Sequence, residues 1–282
     1  MRLCFHGTLV RGERLNLEDR LRAAARFGYT AVDCGHAELN ALPASNPYGP
    51  WRELGLVPGL VGGLIGASPF APEDAFTQGI QGLDRRAAAA AEAGATMTGM
   101  VLPNRSDLPE PQARAMILER LRRIGQGLAG SGIRVAVEFL GVRSLRPELA
   151  HPFLQSYAAT LELLTETGDE QIGLLLDAYH WYASGTSAAA VAATPASRLV
   201  YLHINDCKPG PLDQIQDADR LLPGEGVIDL PAWLRAVAAT GYDGCIAPEV
   251  LGPRLQGMTT AGAATACADG IWSAMRAAGL EA

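Results

Sequence analysis

Four ionisable side chains, Glu138, Asp177, His203 and Glu249, each close a short apolar run: Arg134-Val-Ala-Val-Glu138, Gly173-Leu-Leu-Leu-Asp177, Leu199-Val-Tyr-Leu-His203 and Gly244-Cys-Ile-Ala-Pro-Glu249. Such runs read as buried parallel strands, and desolvating an unpaired carboxylate is costly. Four charged endings, spaced 39, 26 and 46 residues apart, therefore point to one convergent site. Three carboxylates and an imidazole form a ligand set for a divalent ion, manganese first, with Mg²⁺, Co²⁺ or Zn²⁺ as alternatives. One such ion offsets two of three negative charges that would otherwise repel one another. Its remaining coordination positions suit the adjacent oxygens of a hydroxy-ketone. A single carboxylate at a strand end is ordinary, and a lone histidine is more often a hydrogen-bonded core residue; only the four together point to a site.

The elements that must position these groups alternate along the chain. Strand-like runs fall at 3–8, 30–35, 57–63, 96–102, 134–140, 172–178, 199–205 and 244–250. Helical patterns follow at about 16–27, 38–54, 77–93, 110–130, 153–167, 186–194, 230–240 and 259–278. Leu121, Ile124 and Leu128 make one apolar stripe closed by Gly130, and Asp229 reads as an N-cap before Pro231. Eight β-then-α units with no antiparallel signature predict a wholly parallel sheet with helices outside, a (β/α)₈ TIM barrel in one domain over residues 1–282. A doubly wound open sheet is the runner-up. Within the runs, Glu138 shares a face with Ala136, Asp177 with Leu175 and His203 with Tyr201, while Val135, Val137, Leu174, Leu176, Val200 and Leu202 share the other. The ionisable residues thus point to the barrel axis at its C-terminal mouth. The irregular stretch 205–228 is too long for an ordinary βα loop and invites a functional reading.

Bulk properties narrow the classes. A net charge of −7 with Lys208 as the only lysine is a poor match to the nucleic-acid backbone. Five scattered cysteines, never in a CxxC spacing, read as small buried hydrophobes in a reducing compartment. The N-terminal run lacks a signal-peptide core and no stretch suits a membrane span, so a cytoplasmic protein, with a homo-oligomer left open, is expected.

The C-terminal half carries a family resemblance. Val135-Ala-Val-Glu-Phe-Leu-Gly141, Leu175-Leu-Asp-Ala-Tyr-His180, Leu202-His-Ile-Asn-Asp206, the run Asp217-Ala-Asp-Arg-Leu-Leu-Pro-Gly-Glu-Gly-Val-Ile-Asp-Leu230 and Pro248-Glu249-Val resemble the xylose isomerase-like TIM-barrel superfamily of sugar isomerases and epimerases. Within it they are most similar to the inosose (2-keto-myo-inositol) isomerase branch. The resemblance implies that Glu138, Asp177, His203 and Glu249 bind the metal, and that Glu138 and Glu249 flank the substrate carbon as acid/base groups. It further implies that His180 binds a substrate oxygen and that Arg220 contacts substrate hydroxyls or closes over the pocket. Ketose 3-epimerases of the superfamily carry a basic residue at a fixed distance after the strand-seven histidine; here Lys208, with Pro209 next, is an imperfect match.

Such parts imply enolisation of a polyhydroxy ketone, an inosose or a ketose, through a metal-stabilised cis-enediolate. Proton return to the neighbouring carbon isomerises, and return to the opposite face epimerises. Loss of a β-hydroxyl instead dehydrates, which keeps a dehydratase or lyase on a keto-cyclitol, dehydroshikimate or 3-keto-glycoside as the alternative. Tyr179, Trp181 and Tyr182 could wall a sugar face or pack under the next helix. His6 and His36 could line the mouth or be structural, and Pro223-Gly-Glu-Gly226 could meet a ligand or be a plain turn.

Overall fold

Eight short strands pair in parallel in chain order: β1 (Arg2–Phe5), β2 (Ala31–Gly35), β3 (Val57–Gly62), β4 (Met97–Leu102), β5 (Arg134–Phe139), β6 (Ile172–Asp177), β7 (Leu199–Ile204) and β8 (Cys245–Pro248). Pairing of Arg2 with Cys245 and Leu3 with Ile246 brings β8 back to β1 and closes the barrel. The structure, a computed structural model, describes residues 1–10, 13–145 and 148–280. The expected TIM barrel is therefore present. No helix is long and apolar enough to cross a membrane among the described residues.

The helices surround the sheet: α1 (Leu17–Arg26), α2 (His36–Asn40), α3 (Gly49–Glu53), α4 (Glu73–Ile80), α5 (Leu83–Glu92), α6 (Glu110–Leu128), α7 (Tyr157–Glu166), α8 (Ala178–Ala183), α9 (Ala188–Ala192), α10 (Leu230–Ala239) and α11 (Thr260–Ala277). The stripe of α6 is buried at Leu121, Ile124 and Leu128, and Asp229 caps α10 by accepting from the Ala232 amide at 2.9 Å. Two expected long helices are split. Pro43 and Pro47 separate α2 from α3, because proline lacks the amide a helix interior needs. Gly82, at φ +68°, separates α4 from α5.

Alternation sorts the side chains as the strand runs imply. Cys4, Ala31, Ala136, Leu175, Tyr201, Cys245 and Ala247 fill the barrel interior. Val135, Val137, Phe139, Leu174, Leu176 and Leu202 pack outward under the helices, and each fully buried residue of this kind is worth about 1.5–3 kcal/mol. Val200 departs from this scheme and joins the interior group. The β6–β7 register passes from Leu174↔Leu199 to Leu175↔Tyr201, so Val200 is an extra, bulged residue that turns inward. The sheet is also not the only one. Arg105–Ser106 and His151–Pro152 form a small antiparallel ribbon above the barrel, two strands too short to show any alternation. All five cysteines are buried and free.

Candidate functional site

The C-terminal ends of β5 to β8 bring their four ionisable residues together. One ligand atom from each of Glu138, Asp177, His203 and Glu249 lies within 4.8 Å of the others. Nδ1 of His203 is the hub: it stands 3.4 Å from Glu138 Oε1, 3.3 Å from Glu249 Oε2 and 3.7 Å from Asp177 Oδ2. Glu249 lies one residue beyond β8, yet its amide still donates to the Ile204 carbonyl at 3.2 Å, which extends the strand geometry to it.

Asp177 also starts α8, which the sequence pattern missed. Its Oδ1 accepts from the amides of Tyr179 at 2.6 Å and His180 at 3.3 Å, an N-cap that turns the chain sharply into a helix. That turn swings His180 into the site. Arg220, only 2% exposed, reaches in from the long loop after β7. Its Nη1 donates to Asp177 Oδ2 and Glu249 Oε2, both at 2.6 Å, while Nη2 lies 2.7 Å from Asp217 Oδ1 and 3.2 Å from His180 Nε2. The guanidinium stacks over the Tyr179 ring at 5.2 Å.

Burial and these partners split the two glutamates. Burial raises the Glu138 carboxyl above its ordinary range, with His203 opposing and Glu249 reinforcing. Burial would raise Glu249 as well, but His203 and Arg220 outweigh it and hold that carboxyl well below the usual range. Burial works against the charged form of His203, and the facing Glu249 and Glu138 overcome it, so the imidazolium is held well above the ordinary value. Ligation by the imidazole would need His203 neutral, so uptake of an ion by the metal-free protein should release protons and strengthen as pH rises. Calorimetry in buffers of different ionisation enthalpy reads that release; a buffer-independent heat would contradict it. The linkage to folding has the same sign. With its folded value raised, His203 stabilises the metal-free fold fully below the unfolded imidazole value of about 6.5, and that contribution is lost as pH climbs through the raised value.

The donor set fits a divalent ion: three carboxylates and an imidazole converge in a buried pocket with Arg220 as the compensating cation. The other sequence-derived candidates divide. His180 and Arg220 join the cluster, and His6 stands at its edge, Nε2 3.9 Å from Glu249 Oε1 and its ring 5.1 Å from that of His203. Trp181 packs among the core hydrophobics, the Tyr179 hydroxyl donates to the Gln216 carbonyl at 2.7 Å, and Tyr182 is half-buried against the same core. His36 bonds Asn40 on α2, and His151 is exposed in the ribbon. Lys208, on the outside of the loop, pairs with Asp219 at 3.2 Å. The Pro223–Gly226 turn is structural: the Gly224 and Gly226 amides donate to Asp206 Oδ2 at 3.1 and 2.9 Å.

Sequence reasoning passed over Asn205, Asp217 and Asp33. Asn205 ties Asp177 Oδ2 at 3.2 Å to the Glu249 carbonyl at 3.1 Å. It lies two residues after His203, so period two alone would have found it on the inward face. The open flank of the mouth lies opposite. Val101, the register partner of Glu138, is 46% exposed, and a cavity of about 590 Å³ lined by Phe70, Val101, Pro103 and Leu108 continues from it.

The chain belongs to the xylose isomerase-like TIM barrel family, whose model matches residues 21–268, in keeping with the closed eight-stranded parallel barrel. An inosose isomerase of Halalkalibacterium halodurans is 30% identical over 124 residues, 43% of this chain and 41% of that enzyme, so the match spans about two fifths of the relative's length. A xylose isomerase domain protein of Alicyclobacillus acidocaldarius superposes with a TM-score of 0.89 at 29% identity, covering 99% of each chain. The IOLI protein with a bound zinc atom superposes with a TM-score of 0.83 at 19% identity over 97% of this chain and 98% of its own, a likeness of fold.

Proposed function

We propose that the protein is a divalent-metal-dependent isomerase or epimerase of a polyhydroxy ketone, with an inosose as the first substrate to test and a ketose as the second. The observation that carries this reading is the convergence of Glu138, Asp177, His203 and Glu249 on one point of this family's barrel. The inosose isomerase relative supports the substrate class. Glu138, Asp177, His203 and Glu249 would hold one ion, manganese proposed first and Mg²⁺, Co²⁺ or Zn²⁺ as alternatives. Bound there, the ion would supply a Lewis acid that polarises the ketone and acidifies the neighbouring C–H.

The chain's own residues do the rest. Glu249, paired with the Arg220 guanidinium at 2.6 Å, takes the proton from the carbon beside the ketone. Glu138, across the His203 ring and raised by burial, is the proton donor on the other side. His180 and Arg220 hold substrate oxygens, with Asp217 fixing the guanidinium. Loss of a β-hydroxyl from the same intermediate keeps dehydration as the competing outcome.

Incubation of the metal-loaded protein with inososes and ketoses in D₂O, followed by NMR, tests this. C–H exchange without water loss is expected; an alkene product means a dehydratase, and no exchange with any of them sinks the proposal. Asp177→Asn should lower metal content and weaken the ion by more than the roughly 10–100-fold of outer-shell changes. Retention of a full metal equivalent in that variant would remove Asp177 from the ligand set.

A further inference from the structure

Asp33 lies in β2 on the axis side of the barrel, beneath His6. The β2–β3 register passes from Val32↔Pro58 to Cys34↔Val61, which sets Gly59 and Leu60 both opposite Asp33. A bulge of this kind leaves an amide without a ladder partner. The Leu60 amide donates instead to Asp33 Oδ1 at 2.7 Å, and the Tyr201 hydroxyl at 2.7 Å and the Cys4 thiol at 3.1 Å donate to the same oxygen. Gly59 makes the close approach feasible, since a Cβ there would fall 2.4 Å from Oδ1. One carboxylate oxygen thus meets the whole structural demand. The other, Oδ2, is buried and has no hydrogen-bond partner, a costly arrangement for an acceptor.

His6 faces that oxygen. The Thr8 amide donates to His6 Nδ1 at 3.2 Å, which favours the neutral tautomer with its proton on Nε2. Nε2 stands 4.0 Å from Asp33 Oδ2 and 3.9 Å from Glu249 Oε1. Both gaps are too long for a direct bond, yet one oxygen about 2.8 Å from each partner bridges either. Glu249 Oε2 is engaged by His203 and Arg220, which leaves Oε1 facing the same gap.

We propose that Asp33 and His6 form a subsite for one free hydroxyl of the substrate, which donates to Asp33 Oδ2 and accepts from His6 Nε2. The subsite deepens the polyhydroxy-ketone reading and rests on it for the identity of the ligand. A hydroxyl offers the required donor and acceptor on a single atom. A carbonyl has no proton for Asp33, and two carboxylates repel a phosphate. The subsite therefore selects an unphosphorylated ring or chain, hydroxylated next to the carbon that Glu249 attends.

Calorimetric binding to the manganese-loaded protein, with myo-inositol and the monodeoxy-inositols as probes, tests this without turnover. Asp33→Asn keeps an acceptor for the bulge while replacing Oδ2 by a donor, and His6→Phe leaves the bulge untouched. Each should weaken myo-inositol about 10–100-fold with unchanged metal content. One monodeoxy-inositol should bind the wild type as weakly and be insensitive to both substitutions, the signature of a cycle closed on one hydroxyl. Equal weakening of every probe, no weakening, or no cyclitol binding by the wild type overturns the subsite. If the pattern appears but inosose shows no C–H exchange, the enolisation reading fails and the subsite stands.

Discussion

Glu249→Gln should lower turnover about 10²–10⁴-fold, the range of a lost general acid or base. Glutamine keeps a carbonyl oxygen where the carboxylate stood, but it cannot accept the substrate proton at any working pH. Glu138→Gln should be equally severe, yet the two variants should differ in kind. Glu138 is pushed toward its neutral form by burial, whereas Glu249 is paired with the Arg220 guanidinium. If Glu249 takes the proton first, Glu249→Gln should abolish solvent exchange at the substrate carbon. Glu138→Gln should then retain some exchange while losing net conversion. D₂O exchange beside product formation separates the steps, and metal content guards against a trivial loss of the ion. Turnover within about tenfold of the wild type in either metal-loaded variant would remove that glutamate from the proton path.

Arg220→Met should destabilise the metal-free protein by about 3–5 kcal/mol, the cost of breaking a buried ion pair by removing one partner. The guanidinium is nearly inaccessible and serves Asp177, Glu249 and Asp217 at once. Methionine fills much of its volume, so lost charge compensation dominates over a cavity. A divalent ion neutralises Asp177 and Glu249 but not Asp217, so saturating Mn²⁺ should restore part of the lost stability. Urea unfolding of both proteins, with and without the ion, measures this. A loss that the ion leaves unchanged would show that Arg220 does not share the ligands' charge.

The residues that sequence alone could place are those whose neighbours share their periodicity. Glu138, Asp177 and His203 sit on strands with clear inward and outward faces, and the barrel puts those faces where period two predicts. Val200 broke the pattern because a bulge adds one residue, which reverses facing without any trace in the composition. Helix α8 was missed because Asp177 caps six residues rich in aromatics, too short to show a helical period. Asp33, a lone mid-strand carboxylate, carries no periodic signal; its meaning lies in a register slip with β3 and in Tyr201, which is 168 residues away. Arg220 was reachable only through the family resemblance, since no local period marks a loop residue that folds back on strand ends.

The four amides gathered by Asp206 bear on how the pocket accepts its ligand. Oδ1 takes the amides of Cys207 at 2.8 Å and Ile228 at 2.9 Å, Oδ2 takes those of Gly224 and Gly226, and the Asp206 and Leu221 backbones bond each other in both directions. A loop knotted at both ends by one carboxylate has lost its conformational freedom in folding rather than in each catalytic cycle. The wall carrying Arg220 is thus preorganised, and selection on that side works by fit to a fixed surface instead of by closure. The expected place for any adaptive motion is the opposite rim, where Val101 is exposed.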